Sequence, residues 1–277
     1  MKNIFLYLFL AFSKTLFSQE LYPFTEPASN IPARSLSVKA ASMFQRDRHA
    51  DRTTQRYTPE LRFGLSKAWN VYATSSLSNM HQQQLIWDGA KLYAKYRFLS
   101  NDDVHKHFRM AAFGAATYSR NHLDHNEINL SMLEQSGVQA GLVATQLWNK
   151  LAVSATSSWN EVLNAERWEK SNAGRYALRS VAYSLSAGYL LLPFEYKDYN
   201  QTNINLYAEL LGSRNIGFRP EKYYVDLAPS VQAIFNSTAK LNVGYRFQLS
   251  SDIYRLANNS WLVSFEYLFL NAVKKKN

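Results

Sequence analysis

Charged residues in this chain recur at even spacing inside otherwise apolar stretches, so that on an extended backbone they share one face. Lys91, Lys95 and Arg97 share a parity within 89–99, as do Glu60 and Arg62 within 57–66. Arg109 and Arg246 repeat the pattern in other stretches, with Glu209, Asp226 and Glu266 as the acids set against them. Ionised groups in such rows suit a fixed field that attracts or repels a passing solute. They do not suit the making and breaking of bonds.

Other constellations point to metal or nucleophilic chemistry. His105 and His107 lie two apart beside Asp102 and Asp103, and His122 and His125 lie with Asp124 and Glu127. These residue types ligate zinc, copper or iron. Neither spacing is a recognised ligand motif, however, and polar residues gather in aqueous loops anyway, which is the stronger reading. His81 with Ser76 and Ser78 is the one candidate pairing of base and hydroxyl. No G-x-S-x-G, P-loop or dinucleotide fingerprint stands in a suitable context. The expectation is no enzyme and no cofactor. The chain has no cysteine, which excludes thiol catalysis, cysteine metal sites and a disulfide scaffold.

The elements that carry these charges read as strands. In Leu241 to Leu249, the residues Leu241, Val243, Tyr245, Phe247 and Leu249 fall on one face, and Asn242, Gly244, Arg246 and Gln248 on the other. Comparable stretches occupy 34–44, 57–66, 70–80, 89–99, 107–118, 135–146, 150–160, 176–191, 203–213, 223–235, 239–250 and 260–270. Connections after odd-numbered strands are long and polar (45–56, 81–88, 119–134, 161–175, 214–222 and 251–259). Those after even-numbered strands include tight turns at Ser66–Asn70, Gln146–Asn149 and Asn236–Thr238, with 100–106 and 192–202 longer. An all-β, closed antiparallel transmembrane barrel of about twelve strands predicts this asymmetry, with long loops outside the cell and short turns in the periplasm.

Arg or Lys on a lipid face near midplane costs about 2–4 kcal/mol, which assigns the faces. Leu92, Ala94, Tyr96 and Phe98 face lipid, leaving Lys91, Tyr93, Lys95 and Arg97 in the lumen; Leu61, Phe63 and Leu65 face out, and Glu60 and Arg62 in. The same rule turns Lys39, Arg109, Lys240 and Arg246 inward, with Glu209, Asp226 and Glu266, and so predicts a basic lumen. Aromatics make up 14% of the chain, enough for two interfacial belts. Trp69, Phe98, Phe108, Trp148, Phe194, Phe235 and Phe269 fall near inner strand ends. Phe44, Tyr57, Trp87, Tyr118, Trp159, Tyr223 and Trp261 fall near outer ones. Many of the cations behind the formal charge of +10 lie within the alternating strands rather than in a helix or a cluster, which argues against a nucleic-acid partner.

The domain plan follows. Residues 1–18 read as a cleaved signal peptide, with Lys2 before the apolar run Ile4 to Phe12 and Ser18 before the cut. Residues 19–33, with Pro23, Pro27 and Pro32, read as an extended periplasmic segment, 34–270 as the barrel, and 271–277 as a basic tail.

Over its whole mature length the chain resembles the β-barrel outer-membrane proteins of diderm bacteria. Trp261 to Phe269 resembles the aromatic last strand that such proteins present to their assembly machinery, although Leu270 to Asn277 extend beyond it. Glu26-Pro27-Ala28-Ser29-Asn30 and His105-Lys106-His107-Phe108-Arg109 resemble segments of transporter-like barrels of that class. The resemblance implies an outer-membrane location with lipid and the assembly machinery as partners. The charge pattern leads to a porin-like channel for small polar or anionic solutes. The alternatives are a structural or adhesin-like barrel, its lumen closed by side chains or by the N-terminal segment, and, third, a membrane hydrolase. In intact cells an impermeant thiol reagent is expected to label an Asp124→Cys variant and spare Lys67→Cys; the reverse pattern would invert the topology.

Overall fold

A strand with one apolar face in hydrocarbon must satisfy its backbone polar groups on both edges, which only a closed sheet achieves. The computed structural model shows that closure: twelve antiparallel strands, each bonded to its neighbours in sequence, with the last returning to the first. They are β1 (Leu36–Arg46), β2 (Thr53–Gly64), β3 (Trp69–Ser78), β4 (Ile86–Asp102), β5 (Lys106–Ser119) and β6 (Gly137–Trp148). The second half comprises β7 (Leu151–Val162), β8 (Arg179–Leu192), β9 (Asn203–Ile216), β10 (Tyr223–Phe235), β11 (Ala239–Ser251) and β12 (Asn259–Phe269). β1 pairs with β12 from Leu36↔Phe269 to Gln45↔Ser260.

The structure describes residues 22–48, 51–103, 106–121, 126–163, 176–195, 200–217, 220 and 222–272. The signal-peptide reading of 1–18, the lysines at 274–276, Asp124, Glu169, His105, His122 and His125 fall outside these residues.

The faces divide as lipid exclusion of charge requires. Leu92 is 62% exposed and Phe265 50%, whereas Lys95 and Glu266 are 0%. Trp69, Phe98, Trp148, Phe235 and Phe269 stand exposed toward one end of the wall, and Trp87, Tyr118, Trp159, Tyr223 and Trp261 toward the other. Several strands run longer than their alternation suggests, β4 and β2 among them. β4 continues through Ser100, Asn101 and Asp102, paired with Arg109, Phe108 and His107, so the expected 100–106 connection shrinks to 103–105. β2 begins at Thr53, which pairs with Arg46, because polar Thr53 to Arg56 extend the sheet beyond the apolar band. The turn 236–238 reverses tightly, with Asn236 and Ser237 at φ of 50° and 56°, the left-handed region that asparagine tolerates well.

Leu142, midway along β6 and 54% exposed, reports on the outer wall. Leu142→Arg is expected to destabilise the barrel by about 2–4 kcal/mol in urea unfolding from lipid vesicles, against a much smaller loss for Leu142→Ala.

Candidate functional site

Strand register assembles the lumen charges into alternating pairs. Lys39 on β1 lies opposite Glu60 of β2 and Glu266 of β12. Glu266 in turn faces Lys240 of β11, with Nζ 3.6 Å from its carboxylate. The acids and bases therefore follow one another around the wall, and cross-strand pairs of opposite sign stabilise the sheet. Arg62 also meets Glu60, and its guanidinium sits 4.7 Å over the Tyr72 ring. Tyr72, Tyr93 and Phe113 continue as a stack across β3, β4 and β5, at centroid spacings of 5.0 and 5.4 Å. A chain of neutral side chains crosses β9 to β12 between these charges. Tyr207 and Asn205 donate to Gln232, Gln232 to Asn242, and Asn242 to Ser264, at 2.8–3.2 Å.

The N-terminal segment, expected to be extended and periplasmic, is irregular from Tyr22 on but lies inside the barrel. Its three prolines remove backbone donors, and its remaining polar groups bond to the wall. The Phe24 amide and the Thr25 hydroxyl donate to Glu209 at 3.0 and 2.6 Å. The Ala28 amide donates to Thr145 Oγ1 at 2.9 Å. Lys95 Nζ donates to the Pro27 and Ser29 carbonyls at 2.7 and 2.8 Å, and Arg109 reaches Ser29 Oγ at 3.1 Å. Glu26 accepts Arg62 at 3.0 Å and lies 3.5 Å from Lys95. Tyr22 packs edge-on against Tyr207. The Phe24 ring fills the space over Gly244, where a Cβ would come within 2.6 Å of it. Residues 22–32 are thus a fitted plug.

A second fold enters the lumen in the outer half. Loop residues 126–136 carry a short 3-10 helix, Leu130–Met132, capped by Asn129, and bury Leu130 and Leu133. Arg56 Nη1 holds Glu134 at 3.2 Å and its Nε lies 3.7 Å from Asp88. Arg255, in the loop after β11, bonds Glu127 at 2.9 Å and Asp226 at 2.7 Å, and Arg246 reaches Asp226 at 2.6 Å. Burial opposes the Arg255 charge, but Glu127 and Asp226 outweigh it and hold the guanidinium above the usual arginine range. Between plug and inward loop lies a cavity of about 270 Å³, bordered by Phe24 and Glu26 below, Leu130 and Met132 above, and Lys91 and Thr156 on the walls.

Of the residues nominated from sequence, Lys95, Arg62, Glu60 and Glu209 meet the plug or its partners, and Arg246 and Asp226 join the outer latch. Glu266 stays within the wall, held by Lys240 and by Ser37 Oγ at 2.6 Å. Lys91 donates to the Ser131 carbonyl at 3.2 Å. Arg97 and Arg109 lie near the inner rim, where Asp102 bonds Arg109 at 2.9 Å and His107 at 3.0 Å. No cluster of three metal-ligating side chains occurs among the described residues. Ser76 and Ser78 both donate to Asp88, an acid of the Arg56 network. Sequence reasoning missed Arg56, Glu134 and Arg255, and named Glu127 only beside the His122 and His125 pair and Glu26 only within a segment of family resemblance. Arg56 was detectable, since it shares the parity of Glu60 and Arg62; starting the strand at 57 left it out.

Arg255→Ala leaves Arg246 alone to match Glu127 and Asp226, and is expected to cost up to about 3–5 kcal/mol in urea unfolding. The double variant Arg255→Ala/Glu127→Ala should lose less than the sum of its single changes; additivity would show that the latch is not a coupled unit.

No protein-family model and no curated protein sequence matches the chain. Among solved structures it is similar to an outer-membrane channel from Pseudomonas putida F1, at 11% identity and a TM-score of 0.60, with 90% of this chain and 100% of that one covered. It is also similar to the KdgM porin, at 10% identity and a TM-score of 0.52, with 84% of this chain and 99% of that one covered. At these identities the likeness is one of fold: the chain folds as a closed twelve-stranded barrel of the outer-membrane porin and channel kind.

Proposed function

We propose that the chain is an outer-membrane channel for small polar or anionic solutes, shut by its own N-terminal segment and opened when that segment leaves the wall. The observation that carries this reading is the chemistry of the plug. Its apolar contacts are the Tyr22 and Phe24 rings and the small Ala28 cluster with Ala111 and Val143; otherwise it is held by hydrogen bonds and ion pairs to Glu209, Thr145, Lys95 and Arg62, contacts that water or a solute can replace. Beyond it lies a chamber of about 270 Å³ bordered by Lys91, Glu60 and Thr156 as well as by apolar side chains. Removal of Glu26 with the plug leaves Arg62 and Lys95 facing the path, so the lumen becomes more basic on opening and attracts anions. The apolar outer wall supports a location in lipid, and the aromatic face of β12 supports recognition by a barrel-assembly machinery.

A closed structural barrel is the competing reading, and the cross-strand pairing of Lys240 with Glu266 and of Arg246 with Asp226 favours it. A disulfide separates the two. Thr25 Oγ1 and Ser186 Oγ lie 2.9 Å apart, and the chain has no cysteine of its own, so Thr25→Cys/Ser186→Cys ties plug to wall. In planar bilayers the oxidised variant is expected to stay silent and the reduced one to conduct. In a potassium chloride gradient its reversal potential should show anion preference, weakened or reversed by adding Lys91→Glu/Lys95→Glu. Silence after reduction would favour the structural barrel. An unchanged preference in the charge-reversed variant would remove these lysines as the selectivity element.

A further inference from the structure

Glu26 is not simply one more ion-pair partner. It is the only acid among plug residues 22–32, and it enters a cradle built entirely from wall residues. Arg62 Nη2 lies 3.0 Å from one carboxylate oxygen. The other oxygen accepts Tyr72 Oη at 3.4 Å and lies 3.5 Å from Lys95 Nζ. Arg62, Lys95 and Tyr72 are buried, whereas the Glu26 side chain keeps 27% of its surface open and borders the cavity. The cradle belongs to the barrel, and its occupant belongs to the removable part.

Lys95 makes the dependence acute. Among the described residues its acceptors are the Pro27 and Ser29 carbonyls and Glu26, all on the plug. Arg62 keeps Glu60 when the plug leaves; Lys95 keeps no acceptor. A cation stripped of its partners in a confined lumen is unfavourable unless water or an anion replaces them. Elsewhere around the same cavity, the side-chain oxygens Tyr93 Oη, Thr156 Oγ1 and Asn160 Oδ1 have no hydrogen-bond partner among the described residues. These atoms suit the hydrogen-bonding body of a solute better than an apolar one.

We infer that Arg62, Lys95 and Tyr72 form a binding site for the carboxylate of a small hydroxylated solute, which Glu26 occupies in the closed barrel. Resting on the channel reading above, this names the class of solute and couples it to opening. A solute carboxylate that takes the cradle displaces Glu26 and, with it, the segment that closes the lumen. Linkage makes the effect reciprocal: whatever loosens Glu26 tightens solute binding.

The test uses full-length protein in detergent carrying the single change Thr25→Cys, with the rate of thiol modification as the measure of plug release. The probes are potassium glycerate, glycerol, which lacks the carboxylate, and potassium chloride at equal ionic strength. Glycerate is expected to accelerate modification severalfold over chloride, and glycerol to leave it unchanged. Adding Glu26→Gln should raise the basal rate and lower the glycerate concentration needed, whereas Lys95→Met should abolish the response to glycerate. Equal rates in glycerate and chloride, or a glycerate response unaffected by both changes, would overturn the inference. Because Glu26 lies in the plug, the Gln variant remains informative if the wall variant folds poorly. The two readings fail separately. If reduction of the disulfide in Thr25→Cys/Ser186→Cys opens conductance while glycerate has no effect, the channel stands without this site. If glycerate accelerates modification of a barrel that never conducts, the site stands without the channel.

Discussion

Charge barred from the lipid face must be matched inside a lumen bounded by twelve strands. Each Arg or Lys on the hydrocarbon face costs about 2–4 kcal/mol, so the period-2 alternation drives cations inward, where burial is itself unfavourable without a partner. The barrel meets this requirement at three places. Along the wall, register sets Glu60, Lys39, Glu266 and Lys240 side by side. At the outer end, Arg255 and Arg246 share Asp226 and Glu127. At the inner end the wall does not supply the match. Lys95 takes its acceptors from a segment that is not part of the sheet.

That third solution separates closure from stability. Strand pairing and wall ion pairs persist whether or not the lumen is filled, because neither involves residues 22–32. The plug contributes polar contacts that hydration replaces at small net loss, and its ring contacts are local, Tyr22 on Tyr207 and Phe24 over Gly244. Segments held in this way open at lower free energy than the elements around them. The outer fold differs, since it carries two acids, Glu127 and Glu134, that are tied to the buried guanidinium groups of Arg255 and Arg56.

The strands, their faces and the two belts were legible because lipid on one side and water on the other impose a strict two-residue period. Leu92 against Lys95 and Phe265 against Glu266 follow that rule without exception for tertiary context. Strand ends were less legible: Thr53 to Arg56 and Ser100 to Asp102 pair beyond the apolar band, where alternation no longer reports on environment. The expected basic excess on the wall was drawn from the strand residues alone. Glu26, Glu127 and Glu134 neutralise part of it from irregular segments. Prolines at 23, 27 and 32 showed that the N-terminal segment would not be a strand, but no periodicity says where an irregular segment goes. Its place is set by Glu209, Thr145 and Lys95, residues far away in sequence.

Amide hydrogen exchange of the intact barrel, resolved by residue, tests the separation of plug from wall most directly. The account predicts that the Phe24 and Ala28 amides, bonded to Glu209 and Thr145, exchange more slowly than in an unstructured peptide and well ahead of amides in β5 to β10. Exchange of Phe24 and Ala28 at the unstructured rate would show that the segment does not close the lumen. Protection equal to that of the strands would show that it never leaves.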